Sequence, residues 1–205
     1  MITKRIFDIL FSLLFIILLS PFFLIISILI LVTSGFPVIF KQVRICQRGE
    51  KFIIYKFRTM RRNDQLSTIS VTGDSRITTI GKYLRKSKLD ELPELFNILK
   101  GDMSFVGPRP DVSGYYDRLK GRDRDILKLK PGLTGPASLK YINEEEILAQ
   151  VEDPKWYNDN IIFPDKVRIN KLYLENWSLL LDLRIIFHTL IRKKYNEKNY
   201  FKDES

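Results

Sequence analysis

The 205-residue sequence is short of the side chains on which most metal-dependent and thiol-based sites are built: it has one cysteine, Cys46, and one histidine, His188. A lone thiol excludes an internal disulfide framework and fits a reducing compartment. A single histidine excludes the common zinc motifs, which need two or more, and none lies near Cys46 in sequence to suggest a thiol–imidazole pair. Charge of either sign is missing between Asp8 and Lys41. Elsewhere charge is plentiful and one-sided: 34 Lys and Arg against 24 Asp and Glu give a net +10. That surplus favours anionic partners, whether nucleic acid, anionic lipid or phosphorylated substrates. The length suits one ordinary domain, or a membrane segment with one catalytic domain. A mean hydropathy of -0.09 hides how unevenly the apolar residues are distributed.

From Ile9 to Val32 the chain is almost wholly Leu, Ile, Phe and Val, interrupted by Ser12, Ser20, Pro21 and Ser27. A straight helix of that length, at about 1.5 Å per residue, would cross a hydrocarbon core of about 30 Å. Two features argue for another arrangement. Ser20-Pro21 sits near the middle, where proline removes a backbone donor and bends the helix. Both flanks are also basic, with Lys4 and Arg5 before and Lys41, Arg44, Arg48 and Lys51 after, which keeps both ends on the cytoplasmic side. A kinked, re-entrant helix satisfies both, with Ser20 or a nearby hydroxyl capping the freed carbonyl. The segment is too long for a signal peptide and lacks a small-residue cleavage site.

Further along, Val38–Ile45 and Phe52–Met60 are rich in β-branched and aromatic residues and read as a β-hairpin. Residues 61–79 read as a loop turning at Gly73-Asp74-Ser75. Ile80–Lys86 reads as a helical turn, and Leu92–Lys100 as a short helix stopped by Gly101. Gly107-Pro-Arg-Pro110 and Lys130–Pro136 read as rigid loops flanking a charged helix over Ser113–Leu129. Asp165–Glu175 and Leu179–Lys194 have helical periodicity. The second either lies on a membrane surface or packs on the core. From Asn196 onwards a disordered polar tail is expected.

The chemistry concentrates in Ser87–Asn97. Pro93 is tolerated only in the first turn of the helix that follows, which places Asp90 and Glu91 at its N-terminal end, where negative charge is stabilised. Adjacent carboxylates repel, so one can stay ionised while the other handles protons or metal. A plain capping box, Ser87-x-x-Asp90, explains the same residues. The surroundings favour chemistry: Arg76, Lys82, Arg85, Lys86 and Lys88 lie close in sequence, and Arg109 is held between two prolines with its donor fork presented stiffly. Lys56 and Arg58 alternate with Phe57 on a strand and share a face, where they either bind a diphosphate or are simply solvated. Asp182 is a candidate metal or base partner, although an acid on an amphipathic helix is commonly just its polar face. His188 and Cys46 carry no assigned role.

Taken together, Lys-Arg-x-x-Asp8, the Ser20-Pro21 apolar helix, Tyr-Lys-Phe-Arg-Thr-Met60, Leu-Asp-Glu-Leu-Pro93, Asn-x-Leu-Lys-Gly-Asp-Met-Ser104, Val-Gly-Pro-Arg-Pro110 and Lys-Pro-Gly-Leu-Thr-Gly135 closely resemble the bacterial sugar transferase family. These are the monotopic polyprenyl-phosphate phosphoglycosyl transferases. The resemblance implies transfer of a sugar 1-phosphate from a UDP-sugar to undecaprenyl phosphate with release of UMP, the first membrane step of capsule, O-antigen or glycoprotein glycan synthesis. It implies Asp90 as nucleophile through a covalent phosphosugar intermediate, Glu91 assisting, Mg2+ at Asp90 neutralising the diphosphate, phosphate binding by Arg85 and Arg109, and support from Asp182, with Lys56 and Arg58 as further phosphate ligands from their strand placement. It further implies a site at the cytoplasmic face of the bacterial inner membrane, and the chain resembles the minimal catalytic form. Lys88, and Pro136-Ala-Ser-Leu139, depart from the usual pattern and bear on sugar preference. The competing class, a membrane-tethered basic nucleic-acid-binding protein, lacks a recognition helix and leaves Asp90 and Glu91 unexplained. No nucleic-acid partner is therefore expected, and a homodimer is left open.

The expected fold is α+β and mainly helical: a re-entrant membrane helix over 1–35, a cytoplasmic catalytic domain over 36–195 with a small hairpin, short helices and interfacial amphipathic helices, and a polar tail over 196–205.

Overall fold

The computed structural model describes residues 2–45, 47–61 and 76–201, so Cys46 and the Gly73-Asp74-Ser75 turn lie outside the described residues. The chain starts with two helices, α1 (Ile2–Leu18) and α2 (Ser20–Ser34), bent by 60° at their junction. The bend falls at Leu19, and Pro21 occupies the first turn of α2, where its missing N–H breaks no helical bond. Helix α2 opens at Leu19 without a side-chain N-cap. Among the described residues no single helix is long and apolar enough to cross a membrane, whereas the bent pair passes by length and composition.

Strands β1 (Ile39–Ile45) and β2 (Lys51–Phe57) pair antiparallel, Ile39 opposite Phe57 and Ile45 opposite Lys51, forming the expected hairpin. Helix α3 (Thr79–Ser87) starts at Thr78, whose hydroxyl accepts from Gly81 N at 2.9 Å. Helix α4 (Glu94–Lys100) stops at Gly101, which takes left-handed backbone (φ 104°). Asn97 ties α4 to β2, accepting from Tyr55 N at 3.0 Å and donating to Ile53 O at 2.7 Å.

One strand arises inside the loop expected over Lys130–Pro136, and its partner lies just before the loop expected at Gly107–Pro110. β3 (Ser104–Val106) and β4 (Gly132–Thr134) form a short parallel pair, each too brief to show a period-two pattern. Glycine makes the pairing possible: a Cβ on Gly107 would lie 2.2 Å from Lys130 O, and one on Gly132 would lie 2.1 Å from Gly107 N. The contact of these two segments fixes the Pro108-Arg109-Pro110 loop. The helix expected over Ser113–Leu129 is replaced by two 3-10 segments, Tyr116–Arg118 and Gly121–Lys128. Gly114 (φ 110°) and Gly121 (φ 56°) interrupt it with left-handed backbone, and Asp117 folds back onto Gly114 N at 2.7 Å.

Short helices α5 (Pro136–Lys140), α6 (Glu144–Leu148) and α7 (Pro154–Tyr157) lead into α8 (Phe163–Glu175) and α9 (Leu179–Leu190), the latter two close to the expected spans. The tail expectation fails as far as residue 201: Tyr200 and Phe201 are buried in the main core, and Tyr200 OH meets His188 Nδ1 at 2.7 Å. Two aromatic side chains outweigh the polar composition around them.

Helix α1 is amphipathic in an inverted sense. Its buried residues are Lys4, Asp8 and Ser12, spaced four apart, while Ile2, Ile6, Leu10, Leu14 and Ile17 are exposed. Lys4 pairs with Asp182 of α9 and donates to Tyr173 OH at 3.2 Å. Asp8 Oδ1 accepts from Ser104 Oγ and Phe105 N, both at 3.1 Å. Arg5 donates to the last carbonyls of α4, Ile98 at 2.6 Å and Leu99 at 2.7 Å. The Lys-Arg-x-x-Asp8 motif therefore bolts the apolar helix pair to the domain. Helix α9 buries a mixed face, Leu181, Asp182, Ile185 and His188, while exposing Leu180, Leu183, Phe187 and Leu190. It packs on the core and still presents an apolar outer face.

Candidate active site

Asp90 and Glu91 lie in a 3-10 turn, Leu89–Glu91, between α3 and α4, one step earlier than the helix that Pro93 opens. Lys88, in left-handed backbone at φ 60°, reverses the chain out of α3. The capping box does not form, because Ser87 Oγ bonds back to the carbonyls of Tyr83 at 2.8 Å and Leu84 at 3.1 Å. Both carboxyls are nearly buried, Asp90 at 9% and Glu91 at 7% exposure.

Glu91 Oε1 accepts from Lys56 Nζ of β2 at 2.8 Å and from Arg109 Nη2 at 2.7 Å. Burial alone would push this carboxyl up, but Arg109 and Lys56 overcome it and hold Glu91 well below the usual carboxylate range. Arg109 is raised in turn, chiefly by Glu91. Asp90 moves the other way: burial and then the Glu91 charge raise it, against Lys56, Lys88 and Arg85. Its Oδ1 is buried with no hydrogen-bond partner. The pair is thus split, with Glu91 fixed as an anion and Asp90 the more basic and less engaged. An unpartnered carboxylate oxygen among cations is a nucleophile's setting.

Lys56, Arg109, Asp90 and Glu91 lie together in the structure. Arg85 contributes field at Asp90, yet its guanidinium pairs with Glu145 of α6 at 2.7 Å. Arg58 does not join them. It is 8% exposed and donates to the carbonyls of Ser34, Gly35 and Phe36, closing the end of α2. Asp182 is also used elsewhere, held by Lys4, Tyr173 OH and, at 3.1 Å, Trp177 Nε1. Alternation along a strand or helix shows which residues share a face, but not what that face meets.

Two residues of the cluster escape sequence reasoning. Glu94, 2% exposed in the first turn of α4, has Oε1 3.2 Å from Lys56 Nζ, a longer contact than the one Lys56 makes with Glu91. Burial, with the Glu91 charge, raises it to about 7 against Lys56 and Arg109. An acid within the apolar run Leu92–Leu99 was its signal. Arg44 of β1 lies 3.9 Å from Asp111, feels Arg109, Glu94 and Glu91, and has a buried Nε without a hydrogen-bond partner. Nothing marks it among the other basic residues of the hairpin. The assembled site is a cradle of Lys56, Arg109, Arg44, Lys88 and Arg85 around Asp90, Glu91 and Glu94.

A family model described as bacterial sugar transferase matches residues 1–194. The chain belongs to the bacterial sugar transferase family. It is 36% identical to UDP-glucose:undecaprenyl-phosphate glucose-1-phosphate transferase of Klebsiella pneumoniae, over 98% of this chain and 42% of the relative. Identity to the protein of that name in Escherichia coli K12 is 32%, over 96% of this chain and 41% of the relative. This sugar transferase chain therefore spans about two fifths of the length of those relatives. It is also 35% identical to exopolysaccharide production protein PSS of Rhizobium leguminosarum bv. phaseoli, over 98% of this chain and 99% of that one. Undecaprenyl-phosphate galactose phosphotransferase of Salmonella typhimurium is 36% identical over 91% of this chain and 39% of its own.

Proposed function

We propose that this sugar transferase moves a sugar 1-phosphate from a UDP-sugar to undecaprenyl phosphate at the cytoplasmic face of the bacterial inner membrane, releasing UMP. The observation that carries the reading is the unpartnered Asp90 Oδ1 beside a Glu91 pinned as an anion by Lys56 and Arg109. An Asp90 oxygen attacks the phosphorus that bears the sugar. The bond from that phosphorus to the bridging oxygen breaks, and UMP leaves with the electron pair. A phosphate oxygen of the lipid then attacks the same phosphorus and returns the Asp90 carboxylate. Lys56 and Arg109, oriented by Glu91, stabilise charge on the transferring and leaving oxygens. Names of relatives that contain UDP-glucose and undecaprenyl-phosphate support this choice of substrates. A panel of UDP-sugars with undecaprenyl phosphate and magnesium, scored for UMP, tests it; no UMP with any donor would remove the reading.

Magnesium fits the donor set in a limited way. Among the described residues no three Asp, Glu, His or Cys side chains converge on a metal position. Mg2+ is commonly held by one or two carboxylates together with substrate phosphates, and Asp90 Oδ1 suits that pattern. Bound there, it would neutralise charge on the diphosphate.

The membrane reading rests on the bent apolar pair, the outward apolar faces of α1 and α9 and the basic flanks. We infer that α1 and α2 enter and leave on the same side. Tags before Lys4 and after Ser205 should then both be shielded from reagents outside the cell. External labelling of the N-terminal tag alone would establish a span instead.

Arg109 is 41% exposed in its side chain, so part of its guanidinium stays open beyond the Glu91 contact. Arg109→Lys is expected to lower kcat/KM by about 10-fold or more, because an ammonium cannot serve a carboxylate and a phosphate with a planar fork. Steady-state kinetics check this, and near-normal turnover would demote Arg109 to a turn element.

A further inference from the structure

Glu94 is buried against the site and has no part in the chemistry above. Its side chain is 3% exposed, and the nearest cation, Lys56 Nζ, lies 3.2 Å from Oε1 while already bound to Glu91 at 2.8 Å. Glu91 in turn engages Arg109 through the same oxygen, at 2.7 Å. The charged groups facing Glu94 are Lys56 from β2, Glu91 from the preceding turn, Arg109 from the loop after β3 and Arg44 from β1. One lysine is therefore shared between two buried carboxyls. Entry of a diphosphate adds two negative charges to this cluster and asks for the same ammonium. Like charges at short range favour the neutral form of whichever carboxyl is least well paired. Glu91 is held by two cations at 2.8 and 2.7 Å, whereas Glu94 Oε1 has only the longer 3.2 Å contact with the same Lys56 Nζ.

Resting on the reading of this site as one for a nucleotide diphosphate, we propose that Glu94 takes up a proton from solvent as the phosphorylated donor enters, releasing Lys56 from its second carboxylate onto the incoming phosphate oxygens. The proton adds to the Glu94 carboxylate, and no other bond is made or broken. Glu94 is a positioning residue that acts through Lys56. Its elevation to about 7 places the change near neutral pH. The sign follows: well below pH 7 the empty enzyme already holds the proton and takes up none, and around and above pH 7 binding must bring one in.

The experiment is calorimetric titration of the magnesium-free enzyme with UDP-glucose, UDP-galactose and UDP-N-acetylgalactosamine, in two buffers of different protonation enthalpy. These ligands keep both phosphates ionised over the range used and bring no proton of their own. Roughly half a proton per bound ligand is expected at pH 7, falling to about a tenth at pH 6, with affinity weakening up to about fivefold from pH 7 to 8. Glu94→Gln should still bind, with buffer-independent enthalpy and flat affinity over that range. Should that variant not fold, Asp90→Asn is titrated in its place: uptake unchanged in it is expected, and uptake lost in it assigns the proton to Asp90 and overturns the inference. Uptake that persists in Glu94→Gln assigns the proton elsewhere, to Asp90 first, and overturns the inference. Wild-type binding with no buffer dependence between pH 6 and 8 overturns it as well. Failure of all three ligands to bind removes the nucleotide-sugar reading, and this inference with it.

Discussion

Asp90→Asn is expected to abolish both the UMP burst and the covalent adduct. Wild-type enzyme given magnesium and its UDP-sugar, without lipid acceptor, should release close to one UMP per active site and gain the mass of one sugar phosphate. The amide keeps the shape of the side chain but is a far poorer nucleophile, so turnover should fall by at least about 10³-fold with the fold intact. Intact folding is a fair expectation, because Asp90 Oδ1 makes no hydrogen bond that the amide would break. Glu91→Gln offers the contrast. That carboxylate holds Lys56 and Arg109 and is not free to attack, so the variant should lose affinity and rate while still forming some adduct. A fully active Asp90→Asn enzyme, or an adduct mapped to another residue, would overturn double displacement and leave the substrate class standing. Intact-mass spectrometry separates these outcomes directly.

The ease with which parts of this molecule are read from its sequence follows the length and regularity of each pattern. The hairpin, the helices over Thr79–Ser87, Phe163–Glu175 and Leu179–Leu190, and the bend near Pro21 each carry a period or a breaker that acts locally. Strands β3 and β4 have three residues each and exist because Gly107 and Gly132 let two distant backbones touch, which no local pattern announces. The same limit governs the site. Asp90, Glu91, Lys56 and Arg109 stand out because acids and bases crowd around rigid turns. Arg58 and Asp182 have the right residue type and the wrong destination: each serves the seating of the apolar helix pair, and only tertiary contacts show it. Glu94 is hidden for the opposite reason. Inside an apolar run it resembles an ordinary helix-start acid, and its perturbation comes from burial and the Glu91 charge, set against a lysine on the distant strand β2.

Asp182→Asn is expected to lower stability steeply without altering the chemistry of molecules that remain folded. Lys4 is 7% exposed and Asp182 1%, so the variant leaves a buried ammonium beside a neutral amide. Breaking a buried pair by removing one partner costs about 3–5 kcal/mol, which for a chain of this size is a melting-point loss of roughly 6–20 °C. Lys4→Met/Asp182→Leu removes both charges and should recover part of that loss. The recovery is incomplete because Trp177 Nε1, part-buried, loses its acceptor and Tyr173 OH keeps only Val106 O at 3.4 Å, and a polar group left poorly paired inside a protein costs about 1–3 kcal/mol. Thermal unfolding in detergent, read beside kcat at a temperature where both proteins are folded, distinguishes an anchor from a catalytic support. The anchor predicts a lower melting point with kcat within a few-fold of wild type, and earlier proteolysis within α1, whose inner face would have lost its hold on α9. An unchanged melting point with collapsed kcat would return Asp182 to the reacting centre, and would require that α9 carry it to Asp90 in some state other than the one in which it binds Lys4.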